Sequence, residues 1–161
     1  MKHTQGDPEE LKKKFWKALA DSPFLFLQPT GQSDQAVPMS PQLDKDANSA
    51  IWFFTHTKSA FAKLGSVTAT FQGKGHDMFA RFDGTLAVET SQERFDQFWN
   101  NFTAAWYDEG KNDPDLLFLR MDLGNAEIWD GDIGLLNTAK MALGMYVEDD
   151  AEKRHVKEAD L

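Results

Sequence analysis

Residues 51–64 read IWFFTHTKSAFAKL, and the period of the pattern changes halfway along. Ile51 to Thr55 is β-branched or aromatic throughout, the composition of a strand buried on both faces. Ala60, Phe61 and Leu64 then share one face of a helix that Thr57 is placed to cap. A strand that runs into a helix start leaves several backbone N–H groups without partners. Here they lie among three hydroxyls (Thr55, Thr57, Ser59) and one ammonium (Lys58). The corner reads two ways: as an ordinary capped helix start with solvated polar residues, or as a seat for a phosphate.

Upstream, Asp7-Pro8-Glu9-Glu10 opens a helix, with Asp as N-cap, Pro at the first helical position and acids near the positive end of the dipole. It predicts a helix to about Ala20 with Leu11, Phe15, Ala18 and Leu19 inward and most of its lysines outward. Phe24 to Leu27 predicts a buried strand and Pro29 to Gly31 a turn. Ser33 to Pro41 predicts an extended segment kept at an edge by Pro38 and Pro41, so the two strands make a hairpin.

Downstream, Gly65 closes the central helix and Ser66 to Phe71 alternates as a half-buried strand. Gln72 to His76 predicts a turn, and Asp77 to Glu89 a further strand kinked at Gly84. Thr90 and Glu93 suggest a capping box for a helix reaching about Ala105, with Phe95, Phe98, Trp99, Phe102 and Trp106 inward. Two strands follow, Leu116 to Met121 and Ala126 to Trp129, separated by Asp122 to Asn125. After them a short helix is predicted around Leu135 to Leu143, and a charged end from Glu148 that frays. Residues 1–147 read as one domain and 148–161 as a flexible tail. Strands with helices inserted among them, rather than alternating regularly, indicate an antiparallel barrel of the α+β class.

A net charge of -9 argues against nucleic acid as a partner. The chain has no cysteine, which removes thiolate chemistry and cysteine zinc sites. The four histidines show no metal-ligand spacing, so no metal site is expected, and the serines lack a nucleophile-elbow frame. No apolar run approaches the length of a membrane span, and residues 1–14 lack an apolar leader core; the expected location is the cytoplasm. Trp52, Trp106 and Trp129 fall near the ends of predicted elements, where a ring offers a face to a flat ligand; Trp16 and Trp99 read as packing residues.

Several short motifs recur in one order: Val37-Pro38-Met39, Trp52 to Thr55 with Ser59 following, Asp83-Gly84-Thr85, Phe98-Trp99 through Ala105-Trp106, Asp113-Pro114-Asp115, and Ala126 to Asp130. With these the chain resembles the general-stress-protein branch of the pyridoxamine 5′-phosphate oxidase-like family, the FMN-binding split β-barrels. The resemblance covers nearly the whole chain. It implies an antiparallel split barrel with flanking helices, and a homodimer holding FMN, a flavin nucleotide, at its interface. By the same resemblance Pro38, Met39 and the backbone of Phe53 and Phe54 run beside the flavin, and Thr55 and Ser59 bond its phosphate. Trp129, in Glu127-Ile128-Trp129-Asp130-Gly131, approaches the partner's flavin.

The chain departs from the family at two cationic positions, where Val37 replaces an arginine and Phe61 a lysine. Lys58, expected on the same helical face as Phe61, is the candidate to compensate. The arginine-containing region that reads the vitamer in true oxidases has no counterpart after Gly131. The implied activity is a flavin-dependent oxidoreductase other than a pyridoxamine phosphate oxidase, with no catalytic residue assigned. The alternative is a split-barrel binding or stress-associated protein with weak or lost flavin affinity.

Overall fold

The Asp7 side chain accepts the backbone N–H of Glu9 at 3.0 Å and Pro8 takes the first turn, so α1 (Pro8–Asp21) begins where its capping signals lie. The computed structural model describes residues 6–45, 49–131, 141–144 and 154–161. Leu11, Phe15, Ala18 and Leu19 are the buried stripe of α1. Phe15 meets Phe71 and Phe82 edge-on, with ring centroids 6.0 and 5.3 Å away. Full burial of such a side chain contributes about 1.5–3 kcal/mol, which fixes α1 against the sheet.

The sheet is built from β1 (Leu25–Pro29), β2 (Val37–Met39), β3 (Ala50–His56), β4 (Gly65–Gln72), β5 (Met78–Val88), β6 (Leu116–Asp130) and β7 (His155–Asp160). Its order is β2-β1-β4-β5-β6-β3, every pairing is antiparallel, and β7 also pairs with β6. The sheet curls into a split half-barrel around Leu27, Ile51, Phe53, Val67, Phe82 and Met121. The expected hairpin of β1 and β2 is present, with Pro38 on the terminal strand. Gly84 marks the expected kink: the β5–β6 register shifts between Phe82 and Gly84. A side chain there would bring a Cβ within 2.7 Å of the Asp122 carbonyl oxygen.

Four expectations are corrected. The two strands at residues 116–121 and 126–129 are one, β6, because β5 templates it along its length through Gly84–Leu123 and Phe82–Ala126 pairs. The helix predicted from Thr57 is a single 3₁₀ turn at Ala60–Lys63, capped by Ser59 and stopped where Leu64 and Gly65 take φ values of 61° and 84°. The helix predicted to span Thr90 to Ala105 is two, α2 (Gln92–Phe98) and α3 (Asn101–Ala104). Ser91, not Thr90, caps the first, and the Asn100 side chain restarts the second by accepting the Thr103 N–H at 2.9 Å. The end of the chain, expected to fray, contains β7, since Val156, Ala159 and Leu161 bury themselves while the charged residues between them face out. Most of the predicted helix around Leu135 to Leu143 lies outside the described residues.

A candidate ligand cleft between the sheet ends and a broken helix

β2 and β3 stand at opposite ends of the strand order, and the curl of the sheet brings them together. Gln42 closes the gap: its N–H donates to the Trp52 carbonyl at 2.7 Å, and the Trp52 N–H returns to the Gln42 carbonyl at 3.0 Å. Pro38, Met39 and Ser40 therefore lie beside the last residues of β3. Along β3 the alternation of faces sends Phe53 fully into the barrel core and Phe54 to the other side. Phe54 stacks on Phe118 at 4.6 Å and 15°, and Phe95 of α2 meets it edge-on. A cleft of about 390 Å³ results, lined on the sheet side by Pro38, Met39, Gln42, Phe54, Thr55 and His56.

The break between α2 and α3 builds the other wall. Asn100, Phe102, Thr103, Trp106 and Tyr107 line it. Restarting the helix at Asn100 changes its rotation, so Phe102 and Trp106, predicted to point inward, are 87% and 77% exposed and form an aromatic lip. Tyr107 is buried beneath them, its hydroxyl donating to the Thr55 carbonyl at 2.8 Å and its ring 4.7 Å from that of His56. Burial, with a smaller contribution from the Asp113 carboxylate, pushes the Tyr107 phenol up to about 12. It is a neutral hydrogen-bond donor at any physiological pH.

The polar corner is less open than its sequence suggests. The Thr57 N–H donates to the Asp115 carbonyl at 2.9 Å and its hydroxyl to the Asp115 carboxylate at 3.3 Å. The Ser59 N–H is taken by His56, and the Ser59 oxygen accepts the Phe61 N–H at 3.0 Å. Its hydroxyl proton remains available to an anion. Lys58 is exposed, but it does not share a face with Phe61. With the 3₁₀ turn starting only at Ala60, Phe61 points into the core and is 3% exposed.

Trp129 lies elsewhere. It is eleven residues beyond Phe118, toward the other end of β6. Its indole stacks on His155 with centroids 5.2 Å apart and planes 4° from parallel. Of the sequence-predicted residues, then, Pro38, Met39, Phe54 and Thr55 share one cleft. Lys58 and Ser59 follow it in the adjoining turn, Phe53 is buried in the core, and Trp129 is not among its lining residues. Asn100, Phe102, Thr103 and Tyr107 were not predicted to line a site; Asn100 directly after Trp99 is the capping signal that would have revealed the break.

The cleft falls in the ordinary size range of cofactor pockets, and its flat aromatic and proline walls suit a planar ring. Among the described residues, no helix is long and apolar enough to cross a membrane.

The chain matches the family described as pyridoxamine 5′-phosphate oxidase like over residues 10–150. It is 39% identical to the general stress FMN/FAD binding protein of Xanthomonas citri over 79% of this chain and 93% of that one, with a TM-score of 0.70. A general stress family protein of Xanthomonas campestris pv. campestris is also 39% identical, over 80% of this chain and 93% of that chain, with a TM-score of 0.67. General stress protein 26 of Jannaschia sp. CCS1 is 29% identical, covering 96% of this chain and 100% of its own length, with a TM-score of 0.75. No curated protein matches the chain.

Proposed function

The chain belongs to the pyridoxamine 5′-phosphate oxidase-like family, and from that premise we propose that two copies of it bind FMN and act as a cytoplasmic flavin-dependent oxidoreductase of the general stress type. The observation that carries this reading is the convergence of Pro38, Met39, Phe54 and Thr55 on one cleft with an exposed aromatic lip. The FMN/FAD binding in the name of the Xanthomonas citri relative is consistent with it.

Bound FMN would supply hydride exchange at its N5. The residues of this chain hold and orient it. Pro38, Met39 and the backbone of Phe53 and Phe54 flank the ring, Phe102 and Trp106 exclude water at its open side, and the Ser59 hydroxyl and Lys58 ammonium meet the phosphate. Thr55 contributes its side chain at the junction, while Tyr107 fixes its carbonyl. Trp129 is not among the residues that line its own chain's cleft, so this reading takes its ring contact from a second copy. Neither Val37 nor Phe61 supplies the cation found in relatives, and nothing after Gly131 matches the vitamer-reading arginine segment. Pyridoxamine phosphate is therefore not the proposed substrate.

One observation favours a second reading. The Asp115 carboxylate occupies the Thr57 hydroxyl at the corner where a phosphate would sit, which fits a split-barrel stress-associated protein of low flavin affinity. Purified protein distinguishes them: a yellow flavin absorbance and a dimer by light scattering support the first reading. A colourless protein that stays monomeric after incubation with FMN contradicts it.

A further inference from the structure

We infer that His155 and Glu127 are positioning residues that aim the Trp129 indole at the flavin cleft of a second copy; the inference rests on the flavin reading above. Alternation along β6 turns Ala126, Ile128 and Asp130 inward and leaves Glu127 and Trp129 on the outer face. β5 sets Arg81 opposite Glu127 and Phe79 opposite Trp129, while β7 sets His155 opposite Trp129. Residues far apart in sequence thus form one cluster across three strands.

Its geometry is directional. The imidazole lies parallel to the indole, with centroids 5.2 Å apart and planes 4° from parallel. Its Nε2 donates to Glu127 Oε1 at 2.9 Å, and the other Glu127 oxygen accepts from Arg81 at 2.6 Å. A guanidinium fixes the carboxylate, the carboxylate fixes the imidazole, and the imidazole covers one side of the indole. Trp129 remains 36% exposed and Phe79 beside it 38%. The backbone around His155 is tied as well: the Asp130 N–H donates to the Arg154 carbonyl at 2.7 Å, and the Gly6 N–H to that of His155 at 3.0 Å. An exposed indole free to rotate would lose that freedom on docking; one already held by a stacked ring loses less, so the contact is stronger. The cluster is a pre-set contact for a flat partner, and its residues lie outside the lining of this chain's own cleft.

The test is a double-mutant cycle on FMN binding, with two readouts: affinity and the residual fluorescence of bound flavin, which an adjacent indole quenches. Loss of the stack in His155→Ala is expected to weaken FMN binding about three- to tenfold and to raise residual emission toward that of Trp129→Phe. His155→Phe, which keeps a flat ring, restores most of both. In the Trp129→Phe background His155→Ala adds nothing further, because it acts through the indole. Glu127→Gln, close to the native shape, carries the same cycle should His155→Ala fail to fold. Equal effects of His155→Ala with and without Trp129, or wild-type affinity and emission in His155→Ala, overturn the inference while leaving the flavin reading intact. A wild-type chain that binds no FMN overturns both.

Discussion

The Tyr107 hydroxyl donates to the Thr55 carbonyl at 2.8 Å, and through this one bond the segment after α3 is fastened to the end of the strand that forms the cleft floor. Thr55 is one of the two residues that the family pattern sets at the flavin phosphate, so Tyr107 fixes the backbone of that seat. Tyr107→Phe is expected to cost about 1 kcal/mol of stability in urea unfolding, with a measurable loosening of the cleft.

The same residue sets an alkaline limit. Its phenol is raised from the ordinary 10.0 to about 12, so the folded state keeps a proton that the unfolded state loses first. The stabilisation is complete below pH 10 and is lost as pH rises through 10 to 12. Of the two tyrosines, one should titrate late in an ultraviolet phenolate titration, and Tyr107→Phe should remove that late step.

Restoring the family's two cations should give opposite results. Val37 is 40% exposed on the terminal strand β2, so Val37→Arg should leave stability within about 0.5 kcal/mol. By adding a charge-assisted contact it should tighten FMN about tenfold. Phe61 is 3% exposed in the barrel core, and Phe61→Lys should cost at least about 3 kcal/mol through lost packing and a buried charge. Urea midpoints and FMN titrations on both variants check this. A tighter, stable Phe61→Lys would show that this side chain faces the seat after all.

Lys58 is the exposed ammonium next to Ser59, and Lys58→Ala should weaken FMN about tenfold with no change in the urea midpoint. Unchanged affinity would remove Lys58 from the site.

Gly84 is required by a close approach rather than by a turn. A Cβ there would lie 2.7 Å from the Asp122 carbonyl oxygen and from the Met121 methyl, so Gly84→Ala should destabilise by about 1–3 kcal/mol, read as a lower midpoint.

Much of this architecture was legible because its signals are local. Asp7-Pro8 marks α1, the unbroken apolar run of β3 marks a central buried strand, and Gly84 marks a bulge. The misreadings arose where a neighbour decides. Asp122 to Asn125 has turn chemistry, yet β5 pairs on both sides of it and keeps β6 one continuous strand. The aromatic period of residues 95–106 suits one long helix, yet Asn100 caps a new one and turns Phe102 and Trp106 out of the core. Short charged residues around Val156 look like a tail, and only β6 gives them a ladder to join. At the site, Pro38, Met39, Phe54 and Thr55 came from the family pattern and converge in space, whereas the α3 wall depends on that helix break and could not be read from periodicity.

The central claim is that the cleft between β2, β3 and α3 holds a flavin nucleotide, and a titration of the purified chain with FMN, followed by flavin fluorescence beside riboflavin as the phosphate-free control, tests it most directly. Saturable quenching that breaks at about one FMN per chain, with riboflavin weaker by about tenfold or more for want of the phosphate contacts, is the predicted result. Emission that rises in proportion to added FMN into the high micromolar range, with no break, would contradict it.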